Sequence, residues 1–126
     1  MGFQRKKKRE KRFGFTNLES YPKVSIIVPA YNEEVNIVSS LQNLLKQSYP
    51  NFDIIFVDDG SKDNTFKLVS EAFQNHSKLK IFTKVNGGKA TALNFGISKS
   101  DAEYVVCIDA DTKLEQNVVN YLIAKF

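Results

Sequence analysis

A chain of 126 residues fits one domain, and a hydrophobic content of 42% supports an ordinary globular core. The net charge of +4 averages two unlike parts: residues 1–12 hold seven Lys or Arg against one Glu, and the rest holds eleven basic against thirteen acidic residues. A mildly acidic body excludes a nucleic-acid-binding face, one cysteine excludes an internal disulfide, and no apolar run reaches the length of a membrane span.

Gln4 to Arg12 is a block of like charge too polar to pack. Residues 1–20 therefore read as a disordered basic tail, suited to the anionic lipid of a cytoplasmic leaflet. Gly2 does not open a myristoylation signal, because Lys6 stands where Ser or Thr is required. Residues 21–126 alternate between two periods. Val24–Val28 is a buried strand stopped by Pro29. Asn32 caps the next helix, with Glu33 and Glu34 in a first turn whose dipole favours acid. Val38, Leu41 and Leu45 continue that helix until Ser48-Tyr49-Pro50-Asn51 breaks it.

Phe52–Val57 is the second strand, and Asp63 or Asn64 caps a helix with Phe66, Val69 and Phe73 on one face. Leu79–Phe82 is a third, short strand. Asn86-Gly87-Gly88 opens a helix with Ala90, Leu93 and Ile97 inward. Tyr104–Ile108 is the fourth strand, with Cys107 as core filler, and Leu114–Ala124 the last helix. This order predicts an α/β fold: a Rossmann-like, mainly parallel sheet with helices on both faces.

In such sheets ligands bind at the carboxyl ends of the strands, and the polar clusters fall there. Asp109 and Asp111 end a buried strand two residues apart. Like charges that close are costly unless a cation sits between them, and Mg²⁺ prefers one or two carboxylates plus phosphate oxygens. Asp111, further out, is the better ligand. Asp58-Asp59-Gly60-Ser61 offers acceptors for a ribose hydroxyl or a base N–H. Asn86-Gly87-Gly88-Lys89 places glycines and a cation at a helix start, where amides and the dipole favour phosphate. It is neither a Walker loop nor a G-x-G-x-x-G turn. Tyr31 suits stacking on a base or shielding the sheet edge.

Val24 to Glu33 (V-S-I-I-V-P-A-Y-N-E), Val57 to Asp63 (V-D-D-G-S-K-D), Asn86 to Asn94 (N-G-G-K-A-T-A-L-N) and Cys107 to Asp111 (C-I-D-A-D) together resemble family 2 glycosyltransferases of the GT-A fold. The third segment is most similar to processive synthases of poly-N-acetylglucosamine, chitin-like or hyaluronan-like polymers. The resemblance implies inverting transfer from a UDP-sugar, first of all UDP-N-acetylglucosamine, to a growing glycan acceptor, with Mg²⁺ or Mn²⁺. It implies that Pro29, Ala30, Tyr31 and Glu33 border the uridine and that Asp58 or Asp59 takes uracil or ribose. Lys89 would approach the diphosphate, Asp109 the ribose side and the metal, and Asp111 the metal. The family's base is an acidic residue further downstream, followed by Q-x-x-R-W, so no catalytic residue is expected within this chain. The expectation is a donor-binding half that binds UDP-sugar without turnover, at the cytoplasmic face of the membrane in a longer protein.

Two rivals fit less well. A haloacid-dehalogenase-type phosphatase carries D-x-D-x-[TV] near its start, whereas here the pair comes late and Thr112 follows Asp111 directly. A receiver domain carries its acidic pair after the first strand, where this chain has Pro29-Ala30-Tyr31.

Overall fold

The computed structural model describes residues 2–5 and 21–125. Five strands form one sheet in the order β1-β5-β2-β3-β4. They are β1 (Gly2–Arg5), β2 (Val24–Ala30), β3 (Phe52–Asp58), β4 (Leu79–Thr83) and β5 (Tyr104–Cys107). β2 pairs in parallel with β3 and β5, and β3 with β4; only β1 runs antiparallel, along β5. The helices are α1 (Ile37–Leu44), α2 (Thr65–Ala72), α3 (Lys89–Ser98) and α4 (Val118–Ala124).

β2 and β3 are buried along their whole length because alternate residues feed two separate cores. Ile26, Val28, Ile54 and Phe56 pack with Ile37 and Leu41 of α1, Val69 of α2 and Val119 of α4. Ile27, Ile55, Val57 and Val105 pack on the other face with Ala92 of α3. The sheet is thus mainly parallel and covered on both faces, as the alternation predicts. The chain adds strands outward from β2 through β3 to β4, then returns by α3 to place β5 on the other side of β2. That reversal opens a crevice at the carboxyl ends of β2 and β5, the usual ligand position of such sheets.

The structure corrects several sequence expectations. Gly2–Arg5 is not part of a disordered tail but an edge strand, paired from Gly2–Cys107 to Arg5–Tyr104. Backbone pairing on the open edge of β5 does not require apolar side chains, and the Phe3 ring stacks on Tyr104 at 5.5 Å. Residues 6–20 lie outside the described residues.

Pro29 does not stop β2, which continues to Ala30. The Ala30 carbonyl faces β3 and the Ile27 carbonyl faces β5, so the nitrogen of Pro29 faces β5. The β2–β5 ladder has already ended at the Ile27–Cys107 pair, and no ladder hydrogen bond is lost there. α1 starts at Ile37 rather than after Asn32, and α4 at Val118 rather than Leu114. α3 turns Ala92 and Gly96 to the sheet instead of Ala90, which is exposed. A Cβ on Gly96 would lie 2.6 Å from Cγ2 of Ile27, so only glycine lets α3 lie this close. Among the described residues no helix is long and apolar enough to cross a membrane.

Candidate functional site

At the crevice a cleft of about 330 Å³ gathers residues from three strand ends and the start of α3. Pro29, Ala30, Tyr31 and Glu33 come from the end of β2, and Asp59 from the end of β3. Lys89 and Ala92 come from α3, and Asp109, Ala110 and Asp111 from the loop after β5. Of the residues that the resemblance assigns to the site, only Asp58 stays outside the lining. Its Oδ2 accepts the Thr83 hydroxyl at 2.8 Å and its Oδ1 the Ser61 amide at 3.2 Å. Asp58 therefore closes the turn after β3, and Asp59 is the one at the cleft.

The loop after β2 is tied to the loop after β3, and that tie places Glu33. Asn32 takes a left-handed backbone (φ 54°), donates its amide to Ser61 Oγ at 2.8 Å and accepts the Lys62 amide at 2.8 Å. Its side chain is thus spent across the loops rather than as a helix cap. The Glu33 amide donates to Thr65 Oγ1 at 2.8 Å, and the Glu33 carbonyl accepts the amides of Asn36 and Ile37.

Asp59 is saturated. Oδ1 accepts the Lys84 ammonium at 2.8 Å and the Gly87 amide at 3.0 Å; Oδ2 accepts the Gly88 amide at 2.9 Å and Asn86 Nδ2 at 3.3 Å. Burial alone would raise this carboxyl, but the bonds from Lys84, Gly87 and Gly88 outweigh it and hold it below its ordinary value. The amides of Gly87 and Gly88 are therefore not spare phosphate ligands, contrary to the sequence expectation, and attraction for an anion there falls to Lys89 and the helix dipole. Gly60 holds φ +71°, and a Cβ on it would lie 2.6 Å from the Asn86 nitrogen, so glycine is required where the two loops meet. Sequence reasoning missed Lys84; its only sequence signal is a lysine directly after a strand, two residues before Asn-Gly-Gly.

The opposite wall is acidic. Lys89 Nζ lies 2.5 Å from Asp109 Oδ1, and that bond holds the Asp109 carboxyl below its ordinary value. Asp111 makes no hydrogen bond or ion pair with any described residue. Burial first, and then the charges of Asp111, Asp63 and Asp109, raise the Glu33 carboxyl. No group of three or more His, Cys, Asp or Glu suited to a metal occurs among the described residues. Two carboxylates, one of them unengaged, fit a hard cation that takes its remaining oxygens from phosphate and water.

The model of the family "Glycosyl transferase family 2" matches residues 25–126. The chain belongs to this family.

Among relatives of this family member, the poly-beta-1,6-N-acetyl-D-glucosamine synthase of Staphylococcus epidermidis is 39% identical over 103 residues, covering 82% of this chain and 25% of the relative. The synthase of the same name from Staphylococcus aureus is 36% identical over 110 residues, covering 87% and 27%. The chain thus spans about a quarter of the length of the curated relatives it matches. Among solved structures, S. aureus TarS in complex with UDP-GlcNAc superposes with a TM-score of 0.72 at 33% identity, over 81% of this chain and 30% of that one. The mannosyltransferase PcManGT from Pyrobaculum calidifontis, in complex with GDP-Man and Mn²⁺, gives 0.67 at 35% identity, over 73% and 28%. The α/β architecture is that of GT-A glycosyltransferases.

Proposed function

We propose that the cleft binds UDP-N-acetylglucosamine together with Mg²⁺ or Mn²⁺, as the donor site of an inverting transferase that extends a glycan. The observation that carries this reading is the meeting of Lys89, Asp109 and Asp111 with Tyr31 and Asp59 in one cleft. It is supported by the name of the staphylococcal relatives and by the UDP-GlcNAc and Mn²⁺ in the two structural neighbours.

Each group has a physical task in this reading. Pro29, Ala30, Tyr31 and Glu33 border the nucleoside, with Tyr31 offering a partly exposed ring, and Asp59 shapes the floor beside it. Asp111, with Asp109, holds the cation, which when bound offsets charge on the leaving diphosphate. Lys89 adds a positive point charge on the same diphosphate. We assign donor binding to this cleft and no general base among its residues. In a longer protein the basic run of residues 5–12 would meet an anionic cytoplasmic leaflet, and the acceptor would be the growing polymer.

Calorimetric titration of UDP, UDP-N-acetylglucosamine and GDP-mannose, with and without Mn²⁺, tests the reading. The expected result is metal-dependent binding of both uridine ligands and none of GDP-mannose. Failure of every nucleotide to bind a folded chain would overturn it.

A further inference from the structure

We propose that Lys84 is a positioning residue of the nucleotide site, acting through Asp59 to fix the start of α3. The proposal rests on the reading of the cleft as a nucleotide-sugar site, and it concerns a side chain that does not line that cleft.

Lys84 follows β4 directly, and its amide donates to the Asp58 carbonyl at 3.0 Å, so its backbone is held beside the end of β3. Its side chain is 18% exposed. An ammonium has three N–H donors, and the structure gives this one three acceptors: Asp59 Oδ1 at 2.8 Å, the Val85 carbonyl at 2.6 Å and Thr91 Oγ1 at 3.3 Å. Thr91 in turn donates to the Gly88 carbonyl at 2.8 Å. A Cβ on Gly87 would lie 3.2 Å from the ammonium nitrogen and 2.8 Å from Thr91 Oγ1, so the loop wraps closely around the charge. Lys84 therefore bonds β3, the loop before α3, and the first turn of α3 at once.

The reason this bears on the cleft lies in Asp59. A carboxylate this buried is costly without a counter-charge. Once protonated, it would offer an O–H where four donors now converge, and the amides of Gly87 and Gly88 would lose their acceptor. Those two residues lead directly into Lys89. Lys84 thus keeps Asp59 an acceptor, Asp59 holds the Gly87–Gly88 backbone, and that backbone sets the point from which Lys89 reaches the cleft. Lys84 is the cation bonded to Asp59. Of the other charged groups on that side, Lys89, Glu33, Asp109 and Asp111 line the same cleft, and Asp58 is turned to Ser61 and Thr83.

The test compares UDP binding in the presence of Mn²⁺ for the parent chain, Lys84→Met and Lys84→Arg between about pH 5 and pH 8, with a thermal melt on each sample. Ionisation of UDP is common to all three, so the ratio of affinities is the readout. Lys84→Met is expected to bind UDP about tenfold more weakly or worse, because displacement of a positioned group costs that much. The deficit should widen as pH falls, because Asp59 then protonates within the measured range. Lys84→Arg should keep a flat ratio. Parallel pH profiles for parent and Lys84→Met, or a Lys84→Arg profile that follows Lys84→Met, would overturn the proposal.

The parent chain supplies a second readout should Lys84→Met not fold. The Asp59 carboxyl carbon and the amides of Gly87 and Gly88, followed by NMR, should titrate together and below the ordinary aspartate range. Separate midpoints would overturn the proposal. A folded parent chain that binds no UDP would overturn the donor-site reading and this inference with it, whereas equal UDP affinity in parent and Lys84→Met overturns the inference alone.

Discussion

The ammonium of Lys89, in the first turn of α3, meets the carboxylate of Asp109, just beyond β5, at 2.5 Å across the cleft. The two side chains are 62% and 53% exposed, so water screens the pair and it contributes less than about 1 kcal/mol to folding. In the proposed donor site, the pair would hold the lysine ammonium where a diphosphate arrives. Lys89→Met is expected to leave the urea midpoint nearly unchanged and to weaken UDP binding, with a deficit that shrinks as salt is added. Calorimetry at low and high ionic strength, beside a urea titration, checks both halves.

Asp111 has no partner among the described residues, so its removal should cost little stability. Asp111→Ala is expected to melt with the parent chain while losing the Mn²⁺ dependence of UDP binding. Water-proton relaxation of Mn²⁺ reads the metal directly; metal affinity equal to that of the parent would remove Asp111 from the site.

Glu33 carries a pH prediction. Burial and the neighbouring acids raise its pKa in the folded chain above the ordinary value of 4.5. The folded state therefore binds this proton more tightly than the unfolded state, and stability falls as pH rises from about 4.5 through the raised value. Glu33→Gln removes that penalty. The substituted chain should be the more stable at neutral pH, and its advantage should fade on acidification, as thermal melts across the acid range would show.

Gly96→Ala opposes two effects. Alanine favours a helix interior by about 1 kcal/mol, but its Cβ would lie 2.6 Å from Ile27 Cγ2 and 3.2 Å from Val57 Cγ2. Overfilling a packed core costs about 1–3 kcal/mol, and both neighbours sit in fully buried strands. A net loss of stability by urea denaturation is expected; a gain would mean that α3 can lift off the sheet freely.

Much of this molecule was legible in the sequence. The apolar runs from Val24, Phe52, Leu79 and Tyr104 each became a strand, and those from Val24, Phe52 and Tyr104 are continuous because both faces are buried. The placement of Tyr31, Asp59, Lys89 and Asp111 on one edge followed from that parallel arrangement. What escaped was set by partners distant in the chain. Asn32 has the composition of a helix cap, but Ser61 and Lys62 claim it. Asp58 and Asp59 are equivalent in sequence, and only Thr83 and Ser61 on one side, with Lys84, Gly87 and Gly88 on the other, tell them apart. β1 escaped because its pairing needs only a free edge on β5.

That edge strand has an electrostatic consequence. Arg5 pairs with Tyr104, and the Tyr104 amide donates to the Lys23 carbonyl, so the chain leaves β1 and enters β2 at the same end of the sheet. The fifteen residues between Arg5 and Tyr21 hold most of the excess positive charge. Arg5 and Tyr21, the described residues that flank this basic run, both lie at the amino ends of the parallel strands, opposite the end that carries the cleft.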